Sequence, residues 1–243
     1  KVFLEDRAPD LSDYSLIIPS VAVGNVGQLA CDLLISSLDM KRIASVHSLA
    51  LIPVLGSDPY DLNTNNLSSC CEAYVCTSRK LVVLQLRAPL VYKFARGFLE
   101  DVVQTFKDRH VKDIIILSSS FAHEMKFVQA SPFRYVASET CPYKVKANAM
   151  KWVEHDLYNG EVKIFGGGFG SLLFEICKEN EVPSLILYKY CSEGDNIPDA
   201  YDMIRYLADI KPLFSETLDL QLQLIQPVSW KLLFGRPPPQ DIY

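Results

Sequence analysis

A doubly wound α/β fold, with a mostly parallel sheet and helices on both faces (α/β/α), is predicted by three observations. Short runs rich in Ile, Val and Leu alternate with stretches whose apolar residues recur at helical spacing. The run Ile114-Ile115-Ile116-Leu117 is continuous in aliphatic residues, as in strands buried on both faces of a parallel sheet. Glycine-containing turns, Gly24–Gly27 and Gly166–Gly170, stand where helices are about to begin.

The elements follow in order. Ser15 to Pro19 is a short Ile-rich strand. Val26, Leu29, Ala30, Leu33 and Leu34 mark a helix, and Ile43 to Ser48 another short strand. Gly56 to Ser69, with Asp58-Pro59 and three asparagines, reads as a long polar loop. Ala73–Cys76 and Lys80–Leu86 form a hairpin through Thr77-Ser78-Arg79. Phe94, Phe98, Val102 and Phe106 share one helix face, and Asp113–Leu117 is a buried strand. Between Ser118 and Asn159 only a helix over Lys144–His155 is assigned. Leu172, Leu173, Ile176 and Cys177 mark the next helix, and Ser184–Tyr190 a strand. Ala200, Met203, Ile204 and Leu207 lie on the last clear helix, capped near Asp195 or Asn196 with Pro198 in its first turn.

Residues 1–211 are therefore read as one α/β domain, and 212–243 as a C-terminal segment with a Pro-rich tail. Leu218, Leu220, Leu222 and Leu224 alternate with period two, but the Asp and Gln between them are poor strand formers, so helix and edge strand both stay open. Arg236 to Gln240 must be extended, because consecutive prolines favour polyproline II.

Composition narrows the function classes. The chain has 243 residues, 49% hydrophobic and 22% charged, enough for a substantial core without staples. No apolar run approaches the roughly 18 residues of a membrane span, and no secretory signal pattern opens the sequence. The net charge is -5 and no Lys/Arg cluster occurs, which disfavours nucleic acid as a partner. Seven cysteines, an odd number often set within apolar patterns, point to a reducing compartment. Cys70-Cys71-x4-Cys76 lacks a C-x-x-C and a nearby His, so no metal site is expected.

Four constellations could carry chemistry. Gly24-Asn25-Val26-Gly27 sits where doubly wound folds place phosphate loops, yet it matches neither G-x-G-x-x-G nor a P-loop, and a tight strand–helix turn explains it. Gly166–Gly170 reads the same way. Ser118-Ser119-Ser120 follows a strand with His123 close behind, but G-x-S-x-G is missing and polar helix capping suffices. Glu193, Asp195, Asn196 and Asp199 miss the calcium-loop spacing and fit helix capping. No catalytic residue, cofactor or metal ligand is therefore assigned. Trp230, Leu233 and Phe234 form an apolar cluster that either docks on its own domain or anchors a partner.

Taken in order, several segments resemble the proteasome assembly chaperone 2 family. They are Leu16–Ala30, Arg79–Arg87, Ile116–Ser120, Ser131–Tyr135, Ser192–Ala200 and Ser229–Gly235. The resemblance implies a non-catalytic α/β/α domain related in fold to nucleoside-phosphorylase-like proteins. It further implies pairing with proteasome assembly chaperone 1, binding of proteasome α-subunits, promotion of α-ring formation, a block on off-pathway ring dimers, and residence in cytoplasm and nucleus. Members also dock a C-terminal hydrophobic-tyrosine-any motif between α-subunits, where a ring lysine meets the tail carboxylate. Ile242 and Tyr243 match the first two positions and nothing follows them in this sequence. If a further residue follows, the motif is complete; if Tyr243 is the last, the carboxylate stands back by up to about 3.3–3.6 Å, more than a charge-assisted hydrogen bond tolerates without rearrangement, and the tail either binds more weakly or does not use the pocket. Partner contacts are expected at Trp230 and Phe234 from the apolar cluster, and at Ile242 and Tyr243 from the partial match to the tail motif. The alternative is a phosphorylase- or hydrolase-like enzyme using Gly24–Gly27 and Ser118–Ser120 at the strand ends.

Overall fold

Parallel pairing organises the centre of the sheet. In a computed structural model describing residues 10–61, 63–126 and 130–232, β1 (Ser15–Pro19) lies between β6 (Leu81–Leu86) and β7 (Asp113–Phe121), parallel to both. β7 continues in parallel to β9 (Ser184–Cys191). Antiparallel pairs extend each side: β5 (Cys71–Cys76) and then β2 (Lys41–Ser45) beyond β6, and β8 (Phe133–Ala137) beyond β9. The order is β2-β5-β6-β1-β7-β9-β8. Only β5 and β8 run against the other strands, so the sheet is mostly parallel in strand direction.

The two-residue repeat of these strands divides the core. Leu16, Ile18, Val82, Leu84, Ile114 and Ile116 face one side, packed beneath α2 (Tyr92–Asp108) and α4 (Gly170–Glu179). Ile17, Leu81, Val83, Ile115, Leu117 and Leu187 face the other, beneath α1 (Val26–Ser37) and α5 (Ile197–Ile210). Both sets are apolar because both faces are covered, and a one-residue slip would exchange them. No described helix is long and apolar enough to cross a membrane. All seven cysteines are free and buried within these layers.

Several expectations are corrected. Gly56–Ser69 is not all loop: β3 (Leu55–Ser57) and β4 (Leu67–Ser69) form a separate antiparallel ribbon at its ends. The strand expected at Ile43–Ser48 occupies Lys41–Ser45; Val46 N–H still donates to Cys71 O (2.9 Å) on β5, and the chain then departs toward the turn at Leu49-Ala50. The helix expected over Lys144–His155 is only α3 (Lys144–Ala149). Beyond it the chain runs along β8, where Tyr135 N–H donates to Val153 O (3.2 Å) and His155 N–H to Tyr135 O (2.9 Å), covering an edge that would otherwise be open. Ser118–Ser120 do not follow a strand; they lie within β7. Phe94 shares a sequence face with Phe98 but stays exposed at the start of α2. The alternating leucines resolve as a single helical turn, α6 (Leu220–Gln223), capped by Asp219 Oδ1 accepting from Gln221 N–H at 2.9 Å. Leu213, Leu224 and Trp230 beyond Lys211 join the α1/α5 side of the core.

A buried polar knot closes the amino-terminal ends of β1 and β7. Tyr143 OH donates to Asp113 Oδ2 (3.1 Å) and lies 3.1 Å from Ser15 Oγ, which accepts from Lys211 Nζ (2.9 Å). Burial raises the Asp113 carboxyl above the usual range and lowers Lys211. An acid raised on folding is stabilising while protonated and loses that contribution as pH climbs from its unfolded value, about 3.9, through its folded one. Asp113→Asn should therefore gain on the parent from about pH 4 upward until the folded value is passed. Urea unfolding of both proteins between about pH 3.5 and 7 checks this; a variant that loses stability relative to the parent as pH rises contradicts it.

Candidate functional site

Doubly wound folds bind ligands in the crevice beyond the carboxyl ends of the parallel strands. Here β1, β7 and β9 deliver Ser20, Ser118–Ser120 and Lys189 to that crevice, and the turns Gly24–Gly27 and Gly166–Gly170 close over it. The sequence names the parts; the structure shows how they use one another.

The serine hydroxyls are occupied as donors. Ser20 Oγ donates to Gly167 O (2.6 Å), and Ser118 Oγ to the same carbonyl (3.1 Å). Ser119 Oγ donates to Val23 O and Ser120 Oγ to Phe165 O (2.8 Å). They hold both glycine turns to the sheet rather than capping a helix. Gly167 O also accepts from Gly170 N–H (3.2 Å) and Phe165 O from Phe121 N–H (3.4 Å), so no carbonyl depends on one hydroxyl and each bond contributes about 0.5–1.5 kcal/mol. His123 does not reach Ser120: its exposed ring stacks on Phe121 (5.1 Å) and its Nε2 lies 3.7 Å from Glu124. The nucleophile–base pair that the enzyme alternative needs is not assembled from these two residues.

The turns also pack closely on the strands. A Cβ at Gly27 would overlap the Leu117 carbonyl oxygen, so this glycine lets α1 approach β7. Gly168, at φ +60°, lies against the Val21 carbonyl in the same way. What stays open is a cavity of about 150 Å³ lined by residues including Ser120, Lys126, Arg134, Lys163 and Tyr188. That is well below the roughly 300 Å³ at which ligand pockets begin. His155 Nδ1 lies 2.7 Å from Tyr188 OH on its wall, and burial lowers this histidine and raises the tyrosine.

The acidic loop after β9 has a partner that its sequence does not announce. Lys189 Nζ, almost fully buried, contacts Asp199 Oδ1 and Asp202 Oδ2 at 2.6 Å each. Asn196 Nδ2 donates to Asp199 Oδ2 (2.8 Å) and to Ser192 O (2.9 Å). Only Asp195, whose Oδ1 accepts from Ile197 N–H (3.1 Å), meets the capping expectation directly. The carboxylates of Asp199 and Asp202 thus neutralise a buried cation in the sheet, as buried charges require. A lysine inside the apolar run Ser184–Cys191 was the available signal.

The expected partner-binding residues divide. Trp230 is 8% exposed and packs on its own domain, the first of the two readings left open. Its segment is tied down by Ser229 N–H to Pro59 O (3.2 Å) and, further back, Ile225 N–H to Ser37 Oγ (2.8 Å). Phe234, Ile242 and Tyr243 lie outside the described residues. Sequence reasoning missed a large apolar surface. Leu49, Leu55, Leu67 and Tyr92 stand exposed around the β3–β4 ribbon and the start of α2. Its signal was Val46–Ser57, a run without any Asp, Glu, Lys or Arg.

With the crevice filled and apolar surface outside, the comparisons fit the geometry. The family model of the PAC2 family matches residues 16–226. The chain is 35% identical over 258 residues to proteasome assembly chaperone 2 of Bos taurus, covering 98% of each chain. It is 34% identical to proteasome assembly chaperone 2 of Homo sapiens over the same length and coverage. Among solved structures, Pyrococcus furiosus PbaA, an archaeal homolog of proteasome-assembly chaperone, matches with a TM-score of 0.67 at 16% identity, over 88% of this chain and 84% of that one. At that identity the likeness is one of fold. Similarity across nearly the whole length, on a matching α/β/α core, establishes that the chain belongs to the PAC2 family.

Proposed function

We propose that this chain is a non-catalytic chaperone of proteasome assembly. It pairs with proteasome assembly chaperone 1, and the pair binds α-subunits of the core particle. Binding promotes α-ring formation and blocks off-pathway ring dimers, in cytoplasm and nucleus and without a cofactor. One observation carries the reading: about one-third identity extends over 98% of both chains to relatives named proteasome assembly chaperone 2. The interior supports it, since the crevice an enzyme of this fold would use is packed with its own loops.

Co-expression with the partner chaperone, followed by native mass spectrometry, tests the pairing. A one-to-one complex is expected, and a stable monomer indifferent to the partner would refute it. Deleting Ile242 and Tyr243 should weaken binding to α-rings about tenfold or more while leaving the heterodimer intact, because an aliphatic and an aromatic side chain side by side supply the apolar contacts that anchor such motifs. Titration of truncated and complete heterodimers against purified α-rings measures the difference; equal affinities would show the tail dispensable.

A further inference from the structure

The exposed apolar surface has a definite construction. The β3–β4 ribbon pairs Leu55 with Ser69 and Ser57 with Leu67. An isolated two-stranded ribbon is marginal in water unless something packs on it. Beside it, Leu51 bridges Leu90, and Val91 N–H donates to Ala50 O (2.8 Å), so the turn around Leu49 and the start of α2 adjoin. The ribbon is fastened from below. Buried Glu72 accepts from Ser68 Oγ (2.8 Å), Ser69 N–H (3.0 Å) and Arg42 Nη1 (3.0 Å), and Arg42 Nη1 also donates to Leu67 O (2.8 Å). Its underside is polar and satisfied, while its outer side presents Leu55 and Leu67 beside Ser57 and Ser69.

Tyr92 is 96% exposed, Leu49 81%, Leu55 67% and Leu67 55%, with Ile52, Val54, Val91 and Phe94 partly exposed among them. Taking ~200 Å² for a wholly exposed aromatic and somewhat less for an aliphatic side chain, these residues offer on the order of 800 Å². Patches on ordinary monomers are about 300–600 Å², whereas a stable interface takes about 800 Å² from each partner. A groove of about 320 Å³, lined by residues including His47, Leu51, Pro53, Val54, Leu55 and Cys70, has room for an anchoring side chain. Ions stand at the rim: Lys93 lies over the Phe94 ring, and Arg96 pairs with Glu100 and Glu179. A charge-poor centre with a charged rim is the anatomy of a protein interface.

We infer that this face, formed by Leu49–Leu55, the β3–β4 ribbon and the first turn of α2, is where the partner chain of the proposed heterodimer docks. The inference rests on that reading for the identity of the occupant. The partner presents an apolar face of similar area, with one side chain seated in the groove and a recess for Tyr92. Because Glu72 and Arg42 hold the ribbon in place beforehand, little ordering cost attends binding.

The test uses the whole chain carrying Leu49→Asp and Tyr92→Asp, titrated against the purified partner chaperone beside a Val145→Asp control. All three side chains are exposed, so the melting temperatures of the variants should stay close to the parent's. The double variant should lose about 100-fold or more in affinity, and the control almost none. In the parent complex the amides of residues 49–57 and 91–94 should gain protection from hydrogen exchange. A double variant that binds like the parent overturns the inference and leaves the heterodimer standing. A parent with no affinity for the partner overturns the heterodimer reading itself. A parent that dimerises with itself, and is dispersed by the double variant, reassigns the face to a second copy and overturns the occupant inferred here.

Discussion

Replacing Gly168 by alanine is expected to destabilise the protein by about 3 kcal/mol, lowering its melting temperature by on the order of 10 °C. Two costs combine. Gly168 sits at φ +60°, where an L-residue loses about 1 kcal/mol or more relative to its preferred backbone. The new methyl would also overlap the Val21 carbonyl oxygen and lie 2.7 Å from Ser20 Oγ, the hydroxyl that ties β1 to Gly167. Backbone on one side and a buried hydrogen bond on the other leave it no soft neighbour to displace. Gly97 provides the contrast: it lies exposed inside α2 with open space around its would-be Cβ. Gly97→Ala should stabilise by about 0.5–1 kcal/mol through helix propensity alone. Calorimetric melting of both variants compares them. A normal melt for Gly168→Ala would mean that the crevice is roomier than described, and a ligand site there would have to be reconsidered.

Asp32→Ala is expected to cost about 2–3 kcal/mol, because it strips the centre from a buried network. Asp32 Oδ1 accepts from Tyr60 OH (2.7 Å), Gln85 Nε2 (2.7 Å) and Arg87 Nη2 (3.0 Å). Burial, and next the Asp32 anion, push the Tyr60 phenol well above its usual range, so it remains a donor. Removing the carboxylate leaves the guanidinium without its counter-ion and the phenol without its acceptor. The guanidinium keeps some access to water, which places the cost below that of a fully buried pair. The loss should also be felt at a distance. Tyr60 anchors the loop whose Pro59 carbonyl accepts from Ser229 N–H, so the segment leading to the tail should exchange its amides faster in the variant. Urea unfolding gives the energy and hydrogen exchange gives the location. Stability within about 0.5 kcal/mol of the parent would show that the network contributes little.

The layered fold was legible because its signal is local. Continuous aliphatic strands and helices with apolar residues every three or four positions need no tertiary information. Failures came where tertiary context decides. Phe133–Ala137 carries Arg134 and is short, and only its pairing with β9 makes it a strand. Lys144–His155 has helical spacing throughout, yet its second half is captured by the edge of β8, whose unpaired groups outweigh propensity. Ser118–Ser120 look like a loop because serine is a weak strand former; they remain in β7 because carbonyls of two neighbouring turns await their hydroxyls. At the candidate site, sequence supplied the glycines, serines and acids but not their mutual satisfaction, which separates a ligand crevice from a sealed one. Lys189, paired with Asp199 and Asp202, and the charge-free run around Leu51 were both visible, and their meaning depended on what stands opposite them.

Purified α-subunits provide the most direct test of the chaperone reading. They would be mixed alone, or with the heterodimer of this chain and its partner chaperone, and the products counted by native mass spectrometry. The account predicts more single α-rings, fewer ring dimers, and rings carrying one heterodimer each. An unchanged distribution of rings and ring dimers, with no heterodimer bound, would contradict it.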